Sequence, residues 1–324
     1  MIRFGIIGAG NIARKFASDI TAVDNATLVA VASRSMEKAE QFCNEFDLDY
    51  AFGSYQDLVS FDGVDAIYVA TPHNFHKEHT MLSLRHKKHV LCEKPLAVNA
   101  GDAAEMFAEA QRQNMLLMEA LWTRFLPATT HLKNILAQHD FGLLQSIDVS
   151  FGFDMGDRLS ATGRILNPQL AGGSLLDLGV YNVSMLLLVA NAPIRSFEVK
   201  PVFADTGVDL HLHITGELDN SQSTQFVLEC AVDQALSNEA VLTFEHGTVI
   251  VPNFWSTTRI IINDEPFDFP HRVSGFEYEI ESFANSILRQ ELNNPIMSQE
   301  ETMKIVTLMD AIREKIGLVY PFEQ

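Results

Sequence analysis

The first third of the chain alternates short, almost wholly apolar runs with segments in which apolar residues recur every three or four positions. IRFGII (2–7) reads as a strand buried on both faces, and 11–21 as a helix. ATLVAVAS (26–33) is a second strand, followed by a helix through SMEKAEQFCNEF that sets Met36, Ala39 and Phe42 or Cys43 on one side. VDAIYVAT (64–71) and HVLCEK (89–94) repeat the strand pattern, helices are predicted over 76–86 and 99–114, and MLLMEAL (115–121) closes the run. Apolar strands without alternation, each followed by an amphipathic helix, predict a doubly wound parallel sheet covered on both faces.

After about Phe125 the period changes. SIDVSFGFD (146–154) alternates, with Ile147, Val149, Phe151 and Phe153 on one face. Strand-like stretches follow at 197–203, 209–218, 224–232, 240–251 and 258–264, several joined by short turn-like connections. They predict an open, mostly antiparallel sheet. The expected organisation is therefore an N-terminal Rossmann domain over 1–124 and a C-terminal α+β domain over 125–324 for substrate binding and oligomerisation. A last helix over 299–316 is marked by a capping box at Ser298 and Glu301, by Ile305, Leu308, Ile312 and Ile316 at helical spacing, and by Gly317 as its stop. It packs its apolar stripe on one of the two domains, the first being a candidate.

Composition narrows the partners. Lys and Arg number 23 against 42 Asp and Glu, a formal charge of −19, which repels nucleic-acid backbones and anionic membranes. The three cysteines, Cys43, Cys92 and Cys230, lie far apart with no CxxC spacing, as expected of a reduced, cytoplasmic protein. The longest unbroken apolar stretch, at 185–190, is far short of the roughly 20 residues of a membrane span.

Chemistry first shows in FGIIGAGNIARKF. Gly8, Gly10 and Ala13 form GxGxxA between a strand and a helix, so Gly8, Gly10, Asn11 and Ile12 are the expected pyrophosphate turn of a dinucleotide site. Where an NAD site carries Asp or Glu after the second strand, this chain has Ser33-Arg34-Ser35, with Lys38 one turn on. Arg34 pairs well with a 2′-phosphate, which favours NADP; Glu37 nearby keeps NAD as the alternative. Ligands of a doubly wound sheet bind beyond the carboxyl ends of the strands. That edge carries Thr71-Pro72-His73 and Glu93-Lys94-Pro95. His73, His76 and His79 have metal-like spacing, but no acidic or thiol partner stands at a matching position, and no metal is expected.

GIIGAGNIA, VASRS, VATPHNFHKEH, VLCEKPLAVN and AGGSLLDLGVYNVS together resemble the glucose–fructose oxidoreductase and inositol dehydrogenase family, Gfo/Idh/MocA, over nearly the whole chain. MEALWTRFLP and RILNPQLAGGSLLDLGVY are most similar to its branch of dimeric dihydrodiol dehydrogenases and NADP-dependent sugar dehydrogenases. The resemblance implies hydride transfer between nicotinamide and a secondary alcohol or hemiacetal carbon of a sugar or cyclic trans-diol. It implies a homodimer or larger homo-oligomer, formed through the open sheet. It places Lys94 beside the nicotinamide and the substrate hydroxyl, makes Glu93 a cofactor contact through backbone or side chain, and puts Thr71, Pro72, His73 and His76 in the nicotinamide pocket. Asp177 and Tyr181 match the family's Asp-x-x-x-His/Tyr pair. Tyrosine is a weak base at its free pKa near 10, so an adjacent ammonium must stabilise the phenolate. Tyr181 is then the general acid/base, Lys94 its electrostatic helper and Asp177 the orienter; the competing assignment makes Lys94 the proton acceptor. Trp122, Phe151, Trp255 and Phe276 are implied substrate-pocket aromatics, with plain core packing as the alternative for each. A non-catalytic, nucleotide-sensing protein on the same fold is the rival from another class, and it gives no reason to keep Lys94, Asp177 and Tyr181 together.

Overall fold

The computed structural model describes residues 1–138, 141–156 and 159–323. The chain divides into two compact units: 1–125 with 271–306, and 126–270 with 307–324.

The first unit begins with β1 (Ile2–Ile7), α1 (Asn11–Asp19), β2 (Ala26–Ala32), α2 (Met36–Phe46), β3 (Tyr50–Phe52) and α3 (Tyr55–Ser60). It continues through β4 (Ala66–Val69), α4 (His76–Arg85), β5 (His89–Glu93), α5 (Ala100–Gln113) and β6 (Leu117–Ala120). The six strands are all parallel in the order β3-β2-β1-β4-β5-β6. The strand order reverses between β1 and β4, the place where a doubly wound sheet opens a crevice for a dinucleotide. Ile7, Val69, Val90 and Cys92 are fully buried in a cluster that also takes Leu96, Met106 and Val306. β3 and α3 have no counterpart in the sequence pattern: YAF is too short to show a period, and α3 is announced only by Ser54, whose hydroxyl accepts the Asp57 N–H at 3.1 Å. Met36, expected on the buried side of α2, is exposed; Ala39 and Phe42 carry that face.

The second unit opens with α6 (Pro127–Gln138) and β7 (Leu144–Gly152), then reaches α7 (Val180–Val189) through a π-helical turn at Leu175–Gly179. β8 (Ile194–Phe203), β9 (Asp209–Leu218), β10 (Gln225–Ala231), β11 (Glu239–Phe244), β12 (Gly247–Pro252), β13 (Arg259–Ile262) and β14 (Glu265–Asp268) follow. Its sheet runs β14-β13-β12-β11-β7-β10-β9-β8, antiparallel except for the β7–β10 pair. The Asn182 amide on α7 donates to the Val149 and Glu229 carbonyls, both at 2.9 Å, fixing the helix on β7 and β10. The helical stretch 168–189 is long and apolar enough by composition to cross a membrane, but most of it is buried inside this unit, where its apolar surface is core.

The chain then returns. The expectation assigned 125–324 to the second domain and let only the last helix, 299–316, return, whereas 271–306 packs within the first unit. α8 (Phe276–Leu288) explains the difference: Phe276, Ile280 and Phe283 are buried, Phe283 with its ring 5.8 Å from that of Phe4 on β1. Asp19 at the end of α1 accepts from the Ser274 hydroxyl at 2.7 Å and the Phe276 N–H at 3.0 Å. Burial of three such side chains stabilises by about 2 kcal/mol each, enough to draw the segment back. The unit division falls inside α9 (Gln299–Ile316). Ser298 caps this helix by accepting the Glu301 N–H at 3.2 Å, and Gly317 ends it at φ 68°.

Candidate active site

The turn after β1 is shaped for close approach. Gly8 sits at φ 101°, and a Cβ there would lie 2.8 Å from the Ala70 carbonyl oxygen beyond β4. Its N–H donates to Ala32 at 2.9 Å, while the Ala70 N–H donates to Ile7 at 2.9 Å, so the ends of β1, β2 and β4 meet there. Gly10 is the N-cap of α1, in extended backbone, and no side chain caps the helix. A Cβ on Gly10 would meet nothing within 4 Å. The first-turn N–H groups of a helix need partners, and no capping side chain supplies one at Asn11 and Ile12. These residues fit a dinucleotide pyrophosphate, whose charge a helix N-terminus favours.

At the end of β2, the serine hydroxyls are used locally. Ser33 Oγ accepts the Ser35 N–H at 3.3 Å, and Ser35 Oγ caps α2 by accepting the Lys38 N–H at 3.3 Å. Arg34 is exposed and hydrogen-bonded to Tyr55 at the start of α3. The Tyr55 ring stands edge-on to His79 at 4.6 Å, and His79 Nδ1 lies 3.0 Å from the Thr71 hydroxyl. Burial, and then the Arg34 charge, push His79 down to about 4. Tyr55 and His79 thus join Arg34 to Thr71, a chain that sequence spacing did not reveal because its members come from four separate loops and helices.

The turn after β5 is gripped from below. Glu93 is buried, and its carboxylate points inward: Oε1 is hydrogen-bonded to the Tyr68 hydroxyl, and Oε2 accepts the Lys94 N–H at 3.2 Å. The side chain therefore has a core role, and a cofactor contact at this position falls to the backbone, the other form in which it was expected. The reason is its place as the last residue of a fully covered strand, beside Tyr68 on β4. Burial raises its pKa, and the Tyr68 bond and Lys94 charge offset part of that. His76 is fully buried, with Nδ1 2.8 Å from the Pro95 carbonyl and Nε2 2.8 Å from the Thr71 carbonyl. Both ring nitrogens thus face backbone, so His76 ties two loops together instead of presenting a nitrogen to a nucleotide. Two carbonyls favour the imidazolium, but burial is the larger effect and lowers its pKa to about 4. Leu96 N–H donates to Glu119 Oε1 at 2.9 Å. Lys94 itself is half-buried and precedes a cis peptide bond to Pro95. Pro72 caps the short turn that holds His73, which is buried with its ring 5.7 Å from that of His76.

The four expected pocket aromatics fall two in each unit. Trp122 and Phe276 are buried with ring centres 5.0 Å apart, and Lys15 Nζ stands 3.9 and 4.5 Å from them. They cradle a cation from α1, an arrangement favourable when the ammonium is desolvated. In the second unit Phe151 is buried and stacked at 4.1 Å on the partly exposed Trp255. Tyr181, 8% exposed, meets the Phe151 ring edge-on at 5.7 Å.

Asp177 lies in the π-helical turn and Tyr181 in the first turn of α7. Arg164 Nη2 donates to both Asp177 oxygens, at 3.0 and 3.1 Å. The start of this helical run is anchored by Asp209, fully buried, whose Oδ2 accepts from the Ser174 hydroxyl and the Leu175 N–H, both at 2.7 Å. Neither Arg164 nor Asp209 is marked by sequence spacing, since each acts across 13 and about 35 residues. Among the described residues no three His, Cys, Asp or Glu side chains gather as a metal site.

Comparison with known proteins agrees with this geometry. Residues 2–121 match the model for an oxidoreductase family with an NAD-binding Rossmann fold, and residues 129–250 match the GFO/IDH/MocA C-terminal domain. The chain is 34% identical to the trans-1,2-dihydrobenzene-1,2-diol dehydrogenase of Xenopus laevis, over 98% of this chain and 99% of that one. It is 31% identical to the Homo sapiens protein of the same name, over 99% and 98%. A solved 3-ketoreductase from Actinomadura kijaniata in complex with NADP and TDP-benzene superposes with a TM-score of 0.85 at 26% identity, over 97% of each chain. An aldose–aldose oxidoreductase from Caulobacter crescentus shares the fold, with a TM-score of 0.86 at 21% identity over 98% and 99%.

Proposed function

This chain belongs to the Gfo/Idh/MocA oxidoreductase family, and we propose that it uses NADP to oxidise or reduce a secondary alcohol or hemiacetal carbon on a cyclic trans-diol or a sugar. NAD(P)-dependent oxidoreduction at CH–OH groups comes with the family. The choice of NADP is supported by Arg34, exposed at the carboxyl end of β2 with no acidic residue in the position that binds a ribose 2′-hydroxyl. The cyclic-diol side of the substrate class is supported by the full-length dihydrodiol dehydrogenase relatives. The sugar side is supported by the 3-ketoreductase.

When bound, the nicotinamide supplies or accepts the hydride. The chain's own task is the hydroxyl proton. Tyr181 exchanges it as general acid/base, Lys94 stabilises the phenolate and holds the reacting oxygen, and Asp177, clamped by Arg164, orients the pair. A homodimer through the outer face of the second unit's sheet, and a cytoplasmic location suited to three free cysteines, complete the proposal.

The test combines NADPH and NADH fluorescence titrations with turnover of trans-1,2-dihydrobenzene-1,2-diol and a panel of aldoses. Arg34→Ala raises the NADPH Kd about tenfold or more and barely moves that of NADH. Tyr181→Phe lowers kcat on the order of a hundredfold or more with KM little changed. Near-normal turnover in Tyr181→Phe, with loss in Lys94→Ala, transfers the proton-acceptor role to the lysine.

A further inference from the structure

Three consecutive residues, Lys94-Pro95-Leu96, have their backbone polar groups taken up by three buried side chains from three different elements. Glu93 Oε2 accepts the Lys94 N–H, His76 Nδ1 stands against the Pro95 carbonyl, and Glu119 Oε1 accepts the Leu96 N–H. Glu93 is attached to Lys94 by the chain, and His76 shares itself with Thr71. Glu119 is different. It is 23 residues away in sequence, on β6 at the edge of the sheet, and only 2% exposed. Its carboxyl also meets the Thr302 hydroxyl and the charge of Arg124, though the buried Oε2 makes no hydrogen bond of good geometry among the described residues. A carboxyl buried this deeply, with a loop N–H as its one well-formed hydrogen bond, is poor economy for stability alone. An apolar side chain would fill the same place more favourably.

We propose that Glu119 is a positioning residue for the reaction: by holding the Leu96 N–H it fixes the turn from which Lys94 reaches the nicotinamide and the substrate hydroxyl. The inference rests on the reading that Lys94 stands beside the nicotinamide. Neither the glycine motif nor the Glu-Lys-Pro turn points to Glu119, which sits in MLLMEAL as an isolated acid inside an apolar strand. A catalytic group displaced by about 1 Å loses on the order of a hundredfold in rate, so a single hydrogen bond beneath the turn has leverage.

Reach and charge separate cleanly at this position. Glu119→Gln keeps an oxygen at the same distance and removes the charge. Glu119→Asp keeps the charge and withdraws the oxygen by one methylene. Glu119→Leu removes both in a similar volume. The readout is acetylation of Lys94 by acetic anhydride, followed residue by residue by peptide mass spectrometry with and without saturating NADP, alongside NADP Kd and melting temperature for each variant. In the native protein and in Glu119→Gln, NADP slows Lys94 acetylation at least about fivefold; in Glu119→Asp and Glu119→Leu the protection falls below about twofold while NADP Kd stays within about threefold. Turnover of trans-1,2-dihydrobenzene-1,2-diol, where measurable, falls in Asp and Leu through kcat, with KM little changed, and Gln rescues most of it. If Glu119→Asp, folded and binding NADP normally, protects Lys94 as the native protein does, the proposal is overturned. Loss of protection in Glu119→Gln as complete as in Glu119→Asp overturns it too, because the acceptor oxygen would then not be what matters. Should Glu119→Leu fail to fold, the Gln and Asp pair carries the test. A native protein that binds NADP without any protection of Lys94 refutes the parent reading instead, before any variant is compared.

Discussion

Gly8 and Gly10, two residues apart in one motif, should fail in different ways when each is given a single methyl group. At Gly8 the backbone lies at φ 101°, and a Cβ would stand 2.8 Å from the Ala70 carbonyl oxygen, which is backbone just beyond β4, held by the Ala70 N–H bond to Ile7. Strain of about 1–3 kcal/mol from the backbone and a similar amount from overpacking give a destabilisation of roughly 3 kcal/mol for Gly8→Ala. In a domain of this size that is a fall in melting temperature of roughly 6–12 °C. Gly10 lies at φ −90°, where any residue is comfortable, and its Cβ would meet no atom within 4 Å. Gly10→Ala should therefore melt within about 2 °C of the native protein in the absence of nucleotide. The space its methyl group enters is where a pyrophosphate would approach α1, so NADPH Kd should rise at least about tenfold, roughly 1.4 kcal/mol. Calorimetry without ligand and a nicotinamide fluorescence titration decide both points. With NADPH at about a hundred times the native Kd, the native protein gains about 2.7 kcal/mol of apparent stability, and Gly10→Ala should lose half of that or more. Unchanged NADPH affinity in Gly10→Ala, or a melting loss equal to that of Gly8→Ala, would refute the assignment of this turn as the pyrophosphate site.

Two further outcomes follow from buried carboxyls. Glu119 keeps its proton to about pH 7 in the native state, chiefly because of burial, whereas the unfolded chain releases it near its ordinary value of 4.5. The native state then binds more protons between those values, so this group's contribution to stability is present below pH 4.5 and is lost as pH rises through 7, a change on the order of 3 kcal/mol. Glu119→Gln should gain on the native protein progressively from pH 5 to pH 8 in urea unfolding; a difference constant across that range would contradict the burial argument. Asp209→Ala should cost about 2–4 kcal/mol, since it strands the buried Ser174 hydroxyl and Leu175 N–H at the head of the run that carries Asp177 and Tyr181. Thermal unfolding measures that loss directly, and a shift of less than about 1 °C would show that the anchor is dispensable.

Local pattern determined much of this protein. The covered strands β1, β2, β4 and β5 announce themselves because parallel strands are apolar on both faces, and the glycine turn announces itself because the φ of Gly8 and its approach to the Ala70 carbonyl tolerate no side chain. The capping serine of α9 and its terminal glycine were equally legible, since helix ends are satisfied by neighbours in sequence. What tertiary structure decided has a common cause: a buried polar group must find its partner in space, wherever the chain supplies it. Glu93 turned inward to Tyr68, His76 joined Thr71 to Pro95, and Trp122 and Phe276 closed over Lys15. Residues 271–306 returned to the first unit because Asp19 and the Phe4 ring were there to receive Phe276 and Phe283. Glu119, Asp209 and Arg164 carry no mark in the sequence, because the work of each is defined by a partner that only the folded chain brings within 3 Å or so.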